Sequence, residues 1–204
     1  MATLTAPAGH PAAGSSIEVF AYLVRNAGPT ILVDTGMGDG NAFLDDLYRA
    51  NRTSLDTALA GAGATRADID IVVNSHLHFD HCGNNRLFSG TPVYIQSREY
   101  EVARTPHYTV ESWIAPEGVL VREIDGDREI ARGITLLFAP GHTPGHQSLA
   151  IETPSGLAII GAQVASTAAE FEAGGDPAEA HDGIADNYYA SIRRLKSLRP
   201  VRAP

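Results

Sequence analysis

Four metal-ligand side chains fall within six residues of this chain: His76, His78, Asp80 and His81, in the run Asn74-Ser-His-Leu-His-Phe-Asp-His-Cys-Gly83. Imidazole nitrogen and carboxylate oxygen are the donors that borderline divalent metals such as zinc prefer. The run follows Ile69-Asp-Ile-Val-Val73, a short apolar stretch rich in β-branched residues that reads as a buried strand. Such a cluster constrains the fold: a rigid strand must end beside a cleft. Alternation sets His76 and His78 apart from Leu77 and Phe79, so the imidazoles face the cleft while the apolar pair packs inward. Asp80 and His81 point differently and can serve a neighbouring second metal. A lone histidine is more often a surface or capping residue, but four ligands at this spacing after a strand favour a metal site.

A second histidine loop, Gly141-His-Thr-Pro-Gly-His146, comes just after Phe138-Ala-Pro140, so His142 is placed as the first histidines are. With His76 and His78 it makes three imidazoles around one metal and leaves a position for water, the pattern of catalytic sites. His146 competes for the same role. Asp34, in Ile31-Leu-Val-Asp-Thr-Gly36, reads as a carboxylate that fixes a ligand histidine or the loop backbone, with direct ligation as the alternative. Cys82, the single cysteine, forms no disulfide within the chain; it reads as a small buried residue, with metal binding as the alternative.

The remaining pattern is that of one α/β (α+β) domain over residues 17–204, preceded by a flexible arm over residues 1–16 rich in Ala, Gly, Pro and Ser. Strands are predicted at Ile17–Val24, Thr30–Val33, Pro92–Ile95, Gly118–Ile124, Gly133–Phe138, Gln147–Glu152 and Leu157–Ile160. Helices are predicted at Ala42–Ala50, Ser54–Ala62 and Ser97–Ala103, and from about Asp186 to Leu198, the last with Tyr189, Ile192 and Leu195 on one face. Residues 105–117 read as irregular and as a wall for a substrate pocket. The net charge of -9 and the lack of a basic stripe argue against nucleic acid as a partner. No signal peptide and no membrane-length apolar run is evident, so the chain is expected in the cytoplasm.

These segments together resemble the metallo-β-lactamase-fold hydrolases, and their wording is most similar to the N-acyl-homoserine lactonase branch. The resemblance runs from about Val19 to the end of the chain. It implies a four-layered αβ/βα sandwich with metals at one edge, and it selects His142 over His146 as the third ligand of the first metal. It also exposes three departures. Where the family carries a bridging aspartate, this chain has Gln163 (or Ala162, one residue off), whose neutral oxygen bridges two cations less well. Ser166 stands where related lactonases carry a tyrosine. A final strand and its histidine are absent from the sequence, with His107 and His181 as candidate substitutes. One zinc is therefore expected, the second weak or absent, and the open sheet edge suggests a homodimer.

The implied chemistry is metal-assisted opening of a lactone or related ester. A metal on His76, His78 and His142 lowers the pKa of a bound water toward ~7. Asp80 orients this nucleophile, takes its proton and returns it to the leaving alkoxide, while His81 and Gln163 hold any second metal. An esterase or thioesterase of the same fold is the alternative within enzymes. A non-catalytic metal-binding relative is the alternative outside them.

Overall fold

The computed structural model of the protein describes residues 2–9, 13–25, 28–176 and 185–201. The chain falls into two compact units, Met1–Tyr94 with Ala103–Arg122, and Ile95–Val102 with Glu123–Pro204.

The first unit begins with strand β1 (Ala2–Thr5), which pairs antiparallel with β2 (Ser16–Val19). The flexible arm expected over residues 1–16 is thus corrected: its first residues are sheet. The reason lies in alternation too short to stand out in the sequence. Ala2 and Leu4 point inward onto Val19 and Met37, with Leu44, Tyr48 and Phe79 packed against the cluster. Burying Leu4 alone contributes roughly 1.5–3 kcal/mol. The single strand expected over Ile17–Val24 is also two strands. It breaks at Phe20-Ala21, and β3 (Tyr22–Val24) joins a different sheet.

That sheet is built on β4 (Ile31–Val33), which pairs antiparallel with β3. Helix α1 (Ala42–Tyr48), the short β5 (Asn51–Arg52) and helix α2 (Leu55–Gly61) then lead back to β6 (Ile71–Val73). Asn41 and Ser54 start the two helices by accepting from the amides of Leu44 and Thr57, the side-chain capping their residue types favour. β5 adds to the other edge of β1 and completes a three-stranded sheet. β4 and β6 pair in parallel and are buried at every residue, as continuous Ile/Leu/Val runs require of a strand covered on both faces. The ligand-bearing segment starts one residue after this central strand, where the backbone is held from both sides.

β6 is followed by a four-residue helix, α3 (Phe79–Cys82), inside the ligand run. β7 (Pro92–Gln96) pairs with β6 in parallel and leads into α4 (Ser97–Ala103); the end of β7 and most of α4, Ile95–Val102, belong to the second unit. The segment expected to be irregular over 105–117 contains one short helix, α5 (Glu111–Ile114), burying Trp113 and Ile114. β8 (Leu120–Ile124) closes the five-stranded order β3-β4-β6-β7-β8.

The second unit is an antiparallel meander of β9 (Arg128–Ala131), β10 (Ile134–Phe138), β11 (Gln147–Thr153) and β12 (Gly156–Ile160). β9 escapes the sequence reading because Arg128-Glu-Ile-Ala131 is an edge strand with a polar face and only partial burial. Helix α6 (Ala168–Ala173) and helix α7 (Ala185–Ser197) supply Phe171, Tyr188, Ile192 and Leu195 to a core with Leu137, Ala150 and Ile159 of the sheet. Tyr188 joins the α7 stripe as a fully buried residue, and Tyr189 packs against the same core while only partly buried. The edge strand β12 also receives a bond at its Leu157 carbonyl from the Val201 amide.

Candidate metal centre

The ligand run is fixed by the loop that follows β4. Asp34 adopts a left-handed backbone (φ 59°), which Asp tolerates better than most residues, and is almost fully buried. Its carboxylate accepts from the Ser75 amide at 2.7 Å, from Ser75 Oγ at 2.8 Å and from His81 Nδ1 at 2.8 Å. The sequence reading of Asp34 as the residue that fixes a ligand histidine and the loop backbone matches this geometry. Ser75, which sequence reasoning passed over, is the second link. Its Oγ donates to Asp34 and lies 3.0 Å from His76 Nδ1, so it accepts the Nδ1 proton. The network thereby sets the tautomer of both rings: Nδ1 carries the proton and Nε2 keeps its lone pair on His76 and on His81.

His76 Nε2 lies 3.1 Å from His78 Nδ1, so two nitrogen donors are presented side by side. His76 is completely buried and His78 partly so; Phe79 is the first residue of α3, where strand alternation has ended. Asp80 Oδ2 stands 3.5 Å from His81 Nε2. The Tyr108 ring approaches the His78 ring at 5.0 Å, so the aromatic segment does reach the ligand run. Burial, and after it the charge of Asp80, pushes Tyr48 above the usual tyrosine range.

Backbone contacts lock the same loops together. The Thr35 amide donates to His81 O at 2.7 Å, and the Gly83 amide donates to Gly36 O at 3.0 Å. A Cβ on Gly83 would sit 1.9 Å from the Gly38 nitrogen, so only glycine permits this approach. Buried Asn74, Asn84 and Asn85 complete the lattice. Asn84 Nδ2 donates to the Thr35 and Met37 carbonyls, and Asn85 Nδ2 donates to Asn74 Oδ1 at 2.8 Å. Cys82 is fully buried with its thiol 3.5 Å from the Leu77 carbonyl, in keeping with the packing role.

In the second unit, His142 follows β10 within the loop Ala139–His146. The loop closes on itself through Ala139 N to His146 O (2.9 Å), His146 Nδ1 to Ala139 O (3.0 Å) and Gly141 N to Thr143 O (3.1 Å). His146 is fully buried and braces the loop from inside. His142 lines an open recess with Gln163, Ala165, Ser166, Glu170 and Tyr188. Gln163 follows Ala162, itself in the left-handed region (φ 53°), and turns its Oε1 inward, buried and without a hydrogen-bond partner. An orphan buried acceptor beside an imidazole suits a cation or a ligand N–H. Glu170 accepts from the Ser166 amide at 2.8 Å and from the Tyr188 hydroxyl.

Of the described residues, His76, His78 and His142 form a three-imidazole group that could hold a metal ion. All three are neutral-nitrogen donors of the type zinc takes, and the donor set fits the metal. Of the candidates for a replacement histidine, His107 is exposed in a left-handed turn (φ 67°), and His181 lies outside the described residues. No helix of the described residues is long and apolar enough to cross a membrane.

The family model of the Metallo-beta-lactamase superfamily matches residues 17–203. The chain is 35% identical over 196 residues to an N-acyl homoserine lactonase of Bacillus cereus, covering 90% of this chain and 77% of that protein. It is 34% identical to an N-acyl homoserine lactonase of Bacillus thuringiensis, covering 93% and 79%. Among solved structures, a quorum-quenching N-acyl homoserine lactone lactonase superposes with a TM-score of 0.79 at 31% identity, covering 92% of this chain and 79% of that one. An N-acyl homoserine lactone hydrolase with N-hexanoyl-L-homoserine bound at its catalytic metal centre gives 0.80 at 29% identity, covering 98% and 87%. The chain belongs to the metallo-β-lactamase superfamily and has that superfamily's mixed α/β fold.

Proposed function

We propose that this protein is a zinc-dependent hydrolase that opens N-acyl-homoserine lactones or closely similar lactones. The observation that carries the reading is the tautomer-setting chain Asp34–Ser75–His76, which keeps a ligand nitrogen unprotonated and has no evident purpose without a cation. Its weight grows with the lactonase relatives, which match nine-tenths of the sequence.

His76, His78 and His142 would hold the zinc ion. When bound there, zinc acidifies water and polarises a carbonyl oxygen. The chain's own residues do the rest. Asp80 accepts the proton of the attacking water and returns it to the ring oxygen as the acyl C–O bond breaks, so that oxygen leaves as a hydroxyl rather than as an alkoxide. Tyr48, near the Asp80 charge, stays protonated and adds no second anion. Asp34, bonded to His81 Nδ1, leaves His81 Nε2 for a second cation. The family resemblance puts Gln163, with its neutral oxygen, where a bridging carboxylate is expected, so a second cation would be the more weakly held. The recess beside His142 takes the substrate, with Ser166 on its wall.

The test combines zinc content by elemental analysis with proton release on a panel of N-acyl-homoserine lactones and simple esters. About one zinc per chain and ring opening abolished by Asp80→Ala, with folding preserved, are expected. Zinc-free protein, or an Asp80→Ala variant with wild-type turnover, would overturn the proposal. Turnover of esters and thioesters but not lactones would favour the esterase reading.

A further inference from the structure

Glu99 is a buried carboxylate that the proposed chemistry leaves unused. It sits in the first turn of α4, has no solvent exposure, and belongs to the same unit as the second histidine loop. Its Oε2 accepts from Thr143 Oγ1 at 2.7 Å and from the Gly145 amide at 3.1 Å. These donors lie one residue and three residues after His142. The loop is also pressed onto the α4 backbone: a Cβ on Gly145 would sit 2.1 Å from the Glu99 nitrogen and 2.4 Å from its Cα. Gln96, immediately before α4, adds a bond from its Nε2 to Gln147 Oε1 at 2.9 Å. Ser191 Oγ holds the other side of the loop through the Pro140 carbonyl at 2.6 Å.

We infer that Glu99 is a positioning residue for the metal: by gripping Thr143 and Gly145 it fixes the loop backbone that aims His142. A carboxylate kept wholly out of water is costly unless it is hydrogen-bonded. Here two of its bonds go to one short loop, on the C-terminal side of the one side chain that must be aimed. Loss of the grip would leave the His142 ring attached but free to wander, and a wandering ligand lowers metal affinity before it lowers stability. The inference rests on the reading of His142 as a zinc ligand.

The experiment is zinc affinity by chelator competition, with thermal unfolding of the metal-free protein alongside, for Glu99→Gln, Glu99→Ala, Thr143→Ala, Thr143→Ser and His142→Ala. The amide carbonyl that Glu99→Gln introduces can accept both bonds, so this variant should stay within a few-fold of wild type. Glu99→Ala should bind zinc about 10–100-fold more weakly, the usual effect of removing a group that orients a ligand. Should Glu99→Ala fail to fold, Thr143→Ala removes one bond only; its expected loss is about tenfold, restored by Thr143→Ser. Unchanged zinc affinity in folded Glu99→Ala or in Thr143→Ala, while His142→Ala loses zinc, would overturn the positioning role. If His142→Ala also binds zinc normally, it is the assignment of His142 as a ligand that fails.

Discussion

Replacing Asp34 separates two effects that its carboxylate combines. Asp34→Ala strips the Ser75 amide and His81 Nδ1 of a buried acceptor, while Ser75 Oγ still has His76 Nδ1 within 3.0 Å. Two buried donors losing their partner cost about 1–3 kcal/mol each. Alanine at φ 59° adds roughly 1 kcal/mol, because a Cβ without a polar side chain is unfavourable in the left-handed region. The sum is about 3–7 kcal/mol, a large part of the ~5–15 kcal/mol that holds a typical domain together. Asp34→Asn keeps the shape, the backbone tolerance and an acceptor for the Ser75 amide, and should cost only about 1–2 kcal/mol. Its NH₂ group, however, faces Ser75 Oγ and His81 Nδ1 where an oxygen stood. Ser75 must then accept from the introduced amide and donate to His76, and both imidazoles move their proton to Nε2, the nitrogen a cation needs. Urea unfolding of the metal-free variants measures the first effect, and zinc affinity with lactone ring opening measures the second. The Asp34→Asn protein should be nearly as stable as wild type but about 10–100-fold weaker in zinc affinity. Wild-type affinity in Asp34→Asn, or a loss under about 1 kcal/mol in Asp34→Ala, would refute the tautomer argument.

Gly83→Ala should lower thermal stability by well over ~1–3 kcal/mol, because a Cβ would strike the Gly38 backbone while φ -63° itself suits alanine; a variant of unchanged melting temperature would show that the two loops are not in contact. Burial and the Asp80 charge raise the Tyr48 pKa in the folded state. Tyr48 therefore contributes stability that is complete below about pH 10 and is lost as pH rises through the folded pKa. Tyr48→Phe should flatten the alkaline limb of a stability–pH profile and leave the limb below about pH 9 unchanged. At the acid end, the Thr65 amide and hydroxyl hold the Asp68 carboxyl below its usual value. That contribution is present above the unfolded pKa and lost as pH falls through the folded one, so Asp68→Asn should reduce the acid sensitivity of unfolding.

The ligand run was legible because its chemistry is local: four donors in six residues after an all-apolar strand leave few other readings. The central strands were legible for the same reason, their Ile/Leu/Val runs being buried on both faces. What escaped depends on partners far away in the sequence. Ala2 and Leu4 look like a loose tail until Val19, Met37 and Phe79 give them a surface to cover. Ser75 gains its role only through Asp34, 41 residues earlier, and Glu99 only through Thr143, 44 residues later. A Glu in a polar first helical turn carries no mark of burial. The split of Ile17–Val24 into two sheets has the same origin, since a run of apolar residues does not say where its neighbours change.

The backbone bonds between the Asp34–Met37 loop and the ligand run have a consequence for motion. The amides of Asp34, Thr35, Gly83 and Asn84 each donate within the protein, to Val73 O, His81 O, Gly36 O and Thr35 Oγ1 in turn. No one of them can meet deuterium without the loop and the ligand run parting together. In hydrogen exchange this stretch of nominal loop should therefore open with the sheet core rather than with the surface turns, on the slow timescale of cooperative unfolding.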